Sequence, residues 1–265
     1  MNQTNMQLVL IDADSIIWAA AYNLAEKHPA NFEDAVLAQS MCDERLGAIL
    51  SNTRATHYIG AFSSSPCFRH ELYKFAPYKG QRPDKPDFMQ KWQRFLVDYF
   101  QDKHGFTSKE GWEADDIVSF VQEDIPNAII ASPDKDLRQS PGLYYDYAKD
   151  LLTEVSIAEA LHIFYLSIVT GDSVDNIKGI PGLGPKKALE LFKDCTNELE
   201  YEVVLKDVFS RHFGHYYGPI ILNETYYTIK LFRKDHKYLG EPFDYKYHIR
   251  KSPVEQDVFS QALDG

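Results

Sequence analysis

Residues 8–11 (Leu-Val-Leu-Ile) are an unbroken apolar run that ends on a carboxylate, Asp12. A strand with one wet face alternates apolar and polar residues, so a run without alternation reads as a strand covered on both faces. Such a strand needs helices on either side, and the following segments supply them. Residues 16–24 read as a helix, as do residues 32–50, where Val36, Leu37, Met41, Leu46, Ile49 and Leu50 recur at helical spacing. Residues 56–62 are rich in β-formers, 128–131 read as a third buried strand and 143–147 as a fourth. Further helices are expected over 88–100, over 113–123, and from the capping box Ser156-Ile157-Ala158-Glu159 to about Thr170. The alternation predicts an α/β fold, a parallel-rich central sheet flanked by helices. Residues 1–155 would form that core and residues 156–265 a helical region. The tail from Tyr201 reads as aromatic and helical, with 219–232 its clearest element.

Between 63 and about 92 the periodicity breaks at Ser63-Ser64-Ser65-Pro66, at Ala76-Pro77-Tyr78-Lys79-Gly80 and at Arg82-Pro83-Asp84-Lys85-Pro86. Arg69, Lys74, Lys79, Arg82, Lys85 and Lys91 give this stretch a local basic excess, although the chain has 28 Lys+Arg against 39 Asp+Glu and a net charge of −11. A long irregular connection inside a domain is usually functional or disordered. Disorder of the whole chain is excluded by its 17 Tyr and 16 Phe. No apolar run approaches the ~20 residues of a membrane-spanning helix. No basic residue precedes Lys27, and Asp12 and Asp14 interrupt the first apolar stretch, so a signal or transit peptide is not expected. Cys42, Cys67 and Cys195 are too few and too far apart for a disulfide framework or a zinc site, which points to a reducing cytoplasm.

Four groups of acids sit at predicted strand ends or helix termini. Asp12 ends the first strand, and in open α/β sheets ligands bind outside the carboxyl ends of strands; Asp14 suits a helix cap better. Glu113-Ala114-Asp115-Asp116 puts three acids in the first turn of a helix, where the macrodipole relieves part of their repulsion. Asp134-Lys135-Asp136 follows the third strand, with its two carboxylates pointing the same way if extended. Gly171-Asp172-Ser173-Val174-Asp175-Asn176 sits at a helix C-terminus, where acids oppose the dipole and so call for another purpose. Eight carboxylates (Asp12, Glu113, Asp115, Asp116, Asp134, Asp136, Asp172 and Asp175) without His or Cys are hard oxygen ligands. They suit Mg²⁺ or Mn²⁺ and a two-metal phosphodiester hydrolase. Setting these eight charges aside takes −11 to −3, so the acidity does not exclude a nucleic-acid partner.

The sharpest signal is Gly179-Ile180-Pro181-Gly182-Leu183-Gly184-Pro185-Lys186-Lys187-Ala188. Its glycines permit tight turns, its main-chain N–H groups precede a helix, and Lys186 and Lys187 add charge. This is a helix–hairpin–helix type element over 179–188, which grips DNA through phosphates without reading bases.

In this order, Leu10-Ile11-Asp12, Tyr78-Lys79-Gly80-Gln81-Arg82, Glu113-Ala114-Asp115-Asp116, Asp134-Lys135-Asp136, Gly171-Asp172 with Asp175-Asn176, and the Gly-rich hairpin, the chain resembles the 5′-nuclease superfamily. That superfamily comprises flap endonucleases, phage 5′-exonuclease/ribonuclease H proteins and the 5′-nuclease domain of bacterial DNA polymerase I. The resemblance runs over about residues 8–192 and implies a PIN-like core with a helical arch at about 63–92. It implies that Asp12, Glu113, Asp115 and Asp134 serve one metal, that Asp136, Asp172 and Asp175 serve a second, and that Asp116 lies between them. Lys79 and Arg82 would stand on the arch as catalytic groups near the scissile phosphate, and Tyr78 would stack on a displaced base. Gly182, Gly184, Lys186 and Lys187 would hold DNA, with K⁺ on the hairpin carbonyls. Relatives usually carry an Asp shortly after the second strand. Here the stretch reads Ile59-Gly60-Ala61-Phe62-Ser63 with no acid. Ala61 and Phe62 are the candidate positions for it, and Asp14 or Glu71 are candidate replacements.

The expected function is a Mg²⁺-dependent, structure-specific 5′-nuclease, monomeric, working on flaps, 5′ overhangs, nicked or gapped duplex and RNA–DNA primers in replication. The rival from another class is a catalytically silent DNA-junction binding protein, which the missing acid favours. A small-ribonuclease relative would have no need of the hairpin. A dinucleotide-binding oxidoreductase would need a Gly-rich turn after the first strand, which the chain lacks.

Overall fold

The computed structural model describes residues 6–25 and 32–253. The chain begins with β1 (Leu8–Asp12), α1 (Asp14–Ala25), α2 (Phe32–Asn52) and β2 (His57–Phe62). Then come α3 (Arg69–Leu72), α4 (Asp87–His104), β3 (Thr107–Ser108), α5 (Ala114–Asp124) and β4 (Ile129–Ala131). After a 3₁₀ turn at Asp136–Gln139 follow β5 (Gly142–Asp146), β6 (Leu151–Val155) and α6 (Ile157–Thr170). The remainder is a two-stranded hairpin of β7 (Gly171–Asp172) and β8 (Ile177–Lys178), then α7 (Pro185–Leu191), α8 (Glu198–Ile229) and β9 (Arg250–Lys251). The last part of the region read as helical, residues 254–265, lies outside the described residues.

The main sheet has the order β3-β2-β1-β4-β5-β6, with β9 on β2. Its first five strands are parallel; β6 and β9 are antiparallel. The strand order turns around at β1, which has β2 on one side and β4 on the other, and the crevice at such a switch point is where open α/β sheets bind ligands. The register pairs Asp12 with Ala61 and Ile11 with both Gly60 and Ala131, so the carboxyl ends of β1, β2 and β4 lie together.

The unalternated run in β1 is covered on both faces as expected. Val9 and Ile11 pack with α1, α2 and α4 through Ile16, Leu46, Ile49, Leu96 and Phe100. Leu8 and Leu10 pack with α5 and the segment that follows residue 229 through Ile117, Val121 and Phe232. A third cluster, including Tyr165, Ile168, Phe192, Tyr201 and Phe209, holds α6, α7 and α8 together. Gly60 belongs to this packing: a Cβ there would stand 2.2 Å from the Phe106 ring.

Several elements exceed their periodic signal. Helix α4 continues to His104 through polar Gln101, Asp102 and Lys103 and stops at Gly105 in the left-handed region. Helix α8 starts at Glu198, well before the 219–232 stretch, and is broken at Gly214 (φ 82°, ψ 160°). Strands β3, β7, β8 and β9 have two residues each, too short to carry any periodicity. The expected arch takes a compact form. Residues 63–86 contain one four-residue helix, α3, and lie down against the C-terminal elements. The Lys79 main-chain N–H donates to the Asp175 carbonyl at 2.8 Å, and Asn176 Nδ2 donates to the Pro77 carbonyl at 2.8 Å. Among the described residues no helix is long and apolar enough to cross a membrane.

Candidate metal centre

A cavity of about 570 Å³ opens at the carboxyl ends of β1 and β4. Eight carboxylates line it: Asp12, Asp14, Glu113, Asp115, Asp134, Asp136, Asp172 and Asp175. The elements explain the convergence. Asp12 ends β1, Asp14 opens α1, and Glu113 with Asp115 stands at the start of α5. Asp134 and Asp136 follow β4; Asp172 ends β7, and Asp175 lies in the turn before β8. That turn is built on glycine. Gly171 has φ of +70°, and a Cβ on it would meet the Gly179 nitrogen at 2.3 Å, so only a bare backbone lets the hairpin close.

Hydrogen bonds preset the carboxylates. Asp12 Oδ2 accepts from Ser132 Oγ at 2.9 Å and its Oδ1 from the Asp14 N–H at 3.2 Å. Ser132 Oγ in turn accepts from the Asp134 N–H at 3.0 Å, and Asp134 Oδ1 accepts from the Asp136 N–H at 2.8 Å. Asp172 Oδ1 accepts from the Val174 N–H at 2.6 Å.

Charge is not balanced here. Lining the cavity with the eight acids are Arg69, Lys79, Arg82 and Lys135. Burial, then repulsion from Asp14, pushes Asp12 up to about 7. Burial, then repulsion from Asp134, pushes Asp136 up to about 7. Burial raises Asp115 well above the usual carboxylate range, with Asp116 adding to it, and burial raises Asp14. Glu113 goes the other way: burial alone would raise it, but Arg69 and Lys79 outweigh burial and hold it at about 2. Carboxylates held together against their own repulsion, with oxygen donors only, fit a hard divalent cation.

The membership differs from the sequence reading by one residue. Asp116 is fully buried and does not line the cavity. Arg69 Nη1 and Nη2 donate to its two oxygens at 2.6 and 2.8 Å, and the Glu113 and Phe232 N–H groups donate to the same oxygens at 3.1 Å each. Although Glu113, Asp115 and Asp116 bring carboxylate oxygens within 4.8 Å of one another, the acceptor capacity of Asp116 is consumed. Asp14 takes its place in the cavity. The signal for Asp14 was its position two residues beyond the strand-ending Asp12; the reading that gave it to a helix cap was incomplete.

Three further expectations are corrected. Tyr78 is not free to stack on a base. It is buried, its ring stands edge-on to His70 at 5.2 Å, and its hydroxyl lies 2.7 Å from Glu113 Oε2 and 2.9 Å from Asp175 Oδ2. Neither Ala61 nor Phe62 is the place of the missing acid: Ala61 is buried among the α5 side and Phe62 among the α4 side. The residue after β2 that reaches the cavity is Ser63, whose N–H donates to Asp14 Oδ1 at 3.2 Å and whose Oγ accepts from the Ala114 N–H at 2.9 Å. Glu71 lines a different cavity, with Glu224 and Lys237.

Lys79 and Arg82 do reach the site. Lys79 Nζ donates to Glu113 Oε1 and stands 3.9 Å from Asp175 Oδ2, while Arg82 Nη2 donates to Asp175 Oδ1 at 2.5 Å. The 179–188 element lies outside the cavity. Gly182 takes φ of +81° with open space beside it, Gly184 precedes α7, and Lys186 and Lys187 are exposed, with Lys187 Nζ donating to the Gly182 carbonyl at 2.9 Å.

Residues 7–158 match the family described as 5′-3′ exonuclease, N-terminal resolvase-like domain. This chain belongs to the 5′-3′ exonuclease family. Within that family it is 31% identical over 209 residues to DNA polymerase I of Bacillus caldotenax, covering 71% of this chain and 23% of the polymerase. It is 28% identical to flap endonuclease Xni of Psychromonas ingrahamii, covering 70% of this chain and 76% of Xni. The chain thus spans less than a quarter of that polymerase. Among solved structures, the T5 5′-exonuclease with zinc ions bound superimposes with a TM-score of 0.59 at 16% identity, over 86% of this chain and 99% of that one. At that identity the likeness shows the fold: a mostly parallel sheet between helices, shared by this member of the 5′-3′ exonuclease family.

Proposed function

We propose that this protein is a divalent-cation-dependent, structure-specific 5′-nuclease that hydrolyses phosphodiester bonds in DNA. The observation that carries the reading is the convergence of eight carboxylates from separate segments on one cavity at the sheet's switch point, two of them pushed up to about 7 by burial and by neighbouring acids. Asp12, Asp14, Glu113, Asp115 and Asp134 would hold one ion and Asp136, Asp172 and Asp175 another, Mg²⁺ with Mn²⁺ as substitute. Such ions, when bound, activate water and offset charge on a phosphate.

The chain's own residues do the rest. The Ser132 hydroxyl donates to the Asp12 carboxylate and accepts from the Asp134 main-chain N–H, tying the two segments together. Lys79 and Arg82 stand at the rim of the cavity and would offset phosphate charge as it enters. The exposed Lys186 and Lys187 would hold duplex phosphates, with K⁺ on the hairpin carbonyls; the dependence of duplex affinity on K⁺ tests that part. Flaps, 5′ overhangs, nicked or gapped duplex and RNA–DNA primers are the proposed substrates, with replication proteins as neighbours in a cytoplasm and the chain acting as a monomer.

The test is cleavage of a 5′-labelled flap with Mg²⁺, with Mn²⁺ and with excess chelator. Full cutting in chelator would sink the reading. The serine at position 63 favours a second reading, a DNA-junction binder without activity; tight flap binding with no cutting at any Mg²⁺ or Mn²⁺ concentration would select it.

A further inference from the structure

Arg69 is a cation buried at the floor of the cavity, and the proposed ligand set does not include it. Its side chain is 3% exposed. Four of its five N–H donors have these partners: Nε to the Thr228 carbonyl at 2.8 Å, Nη1 to Glu113 Oε2 at 3.0 Å and Asp116 Oδ2 at 2.6 Å, Nη2 to Asp116 Oδ1 at 2.8 Å. The planar fork therefore joins α3, the start of α5 and the end of α8, segments far apart in sequence.

The two carboxylates it holds have different fates. Asp116 has both oxygens taken and stays in the wall. Glu113 Oε2 accepts from Arg69 and the Tyr78 hydroxyl, and its Oε1 is turned to the cavity, where it accepts from the Lys79 ammonium. A carboxylate pinned through one oxygen presents the other in a single orientation. A carboxylate on a free glutamate side chain would have to lose rotamer freedom first. Asp116 in turn pins Arg69, since it also accepts from the Glu113 and Phe232 N–H groups and cannot swing away.

We infer that Arg69 is a positioning residue: it holds Glu113 so that Oε1 is presented in one orientation to a divalent cation in the cavity. This rests on the reading of the cavity as a metal centre. A lysine would keep the charge but not the fork, because an ammonium cannot span two carboxylates in one plane.

The test is Mn²⁺ binding by titration calorimetry on the full chain without DNA, with thermal melting as the measure of folding. The chains compared are the unaltered protein, Arg69→Lys, Arg69→Gln, Glu113→Gln and the doubles of each Arg69 variant with Glu113→Gln. The expected result is Mn²⁺ affinity at least tenfold weaker in Arg69→Lys and Arg69→Gln, and a further change of less than twofold when either is added to Glu113→Gln. Such non-additivity is the signature of one residue acting through another, and a merely structural role would lower the melting temperature without it. Unaltered Mn²⁺ affinity in a folded Arg69 variant would overturn the inference, as would an undiminished loss in the Glu113→Gln background. Failure of both Arg69 variants to fold would assign the residue to the fold alone and overturn it too. Absence of Mn²⁺ binding by the unaltered protein would remove the metal centre itself, and the inference with it.

Discussion

Asp14 Oδ1 accepts the Ser63 main-chain N–H at 3.2 Å, so a carboxylate from the first turn of α1 covers the end of β2, where the chain carries no acid of its own. The contact locates the gap in the ligand set at residue 63. Asp14 and Ser63 line the cavity together, and an acid at 63 would stand beside Asp14.

Ser63→Asp is expected to lower the Mg²⁺ concentration for half-maximal flap cleavage by about three- to tenfold, because one more hard anionic ligand replaces a coordinated water. Ser63 is exposed, so the added charge meets no burial cost. Ala61→Asp and Phe62→Asp face the two core layers instead and should each cost about 3 kcal/mol or more as unpaired buried charges. Metal titrations and melting curves of the three variants check this together; an unmoved titration in Ser63→Asp would refute it.

Lys79→Met should split binding from catalysis. Its ammonium sits between Glu113 and Asp175 and competes for the oxygens a divalent cation would take. Without DNA, Mn²⁺ affinity should rise about tenfold on loss of that positive charge, while the single-turnover cleavage rate should fall at least a hundredfold. Calorimetry and quenched-flow cleavage read the two effects separately, and weaker Mn²⁺ binding would contradict the competition.

Asp172→Asn should abolish cutting, by at least a hundredfold, with flap affinity unchanged or tighter, since the repulsion of phosphate falls with the lost charge. Its Oδ1 is held by the Val174 and Asp175 N–H groups, which an asparagine oxygen can keep, so the turn should survive. Asp175→Asn should lose as much activity, and it also weakens the pairing with Arg82. A rate near that of the unaltered protein in either variant would remove that residue from the centre.

In chelator, the stability of the protein should fall as pH rises from about 4 to about 7. Asp12 and Asp136 go from an ordinary 3.8 to about 7 in the fold. Between those values the folded chain holds more protons than the unfolded one, so the slope of unfolding free energy with pH is negative. The stabilisation is fully present below the unfolded value and is lost through the folded one. Saturating Mn²⁺ should flatten this dependence by supplying the counter-charge. Melting temperatures across that range, with and without Mn²⁺, give the answer, and a rising stability in chelator would contradict the assignment.

Much of the architecture was legible locally. The unalternated run at 8–11 called for helices on both faces and has them, and Ser156 with Glu159 closes its capping box at the start of α6. The strands expected at 56–62, 128–131 and 143–147 are β2, β4 and β5. Seven of the eight acids read as ligands do line the cavity, because strand ends and helix starts place them there. The two-residue strands escaped notice because two residues carry no period.

What the sequence determined by itself is the layering, the parallel-rich character of the sheet and the supply of carboxylates, since apolar periodicity and end-of-strand placement are properties of a few consecutive residues. Which carboxylates face the cavity was decided by tertiary packing alone. Asp115 and Asp116 are neighbours in the same helical turn, yet one lines the cavity and the other is taken by a guanidinium 47 residues away. The local cap contact from the Glu113 N–H to Asp116 does not decide it, because the choice depends on where α3 lays Arg69, and that position exists only once α3, α5 and the end of α8 have packed together.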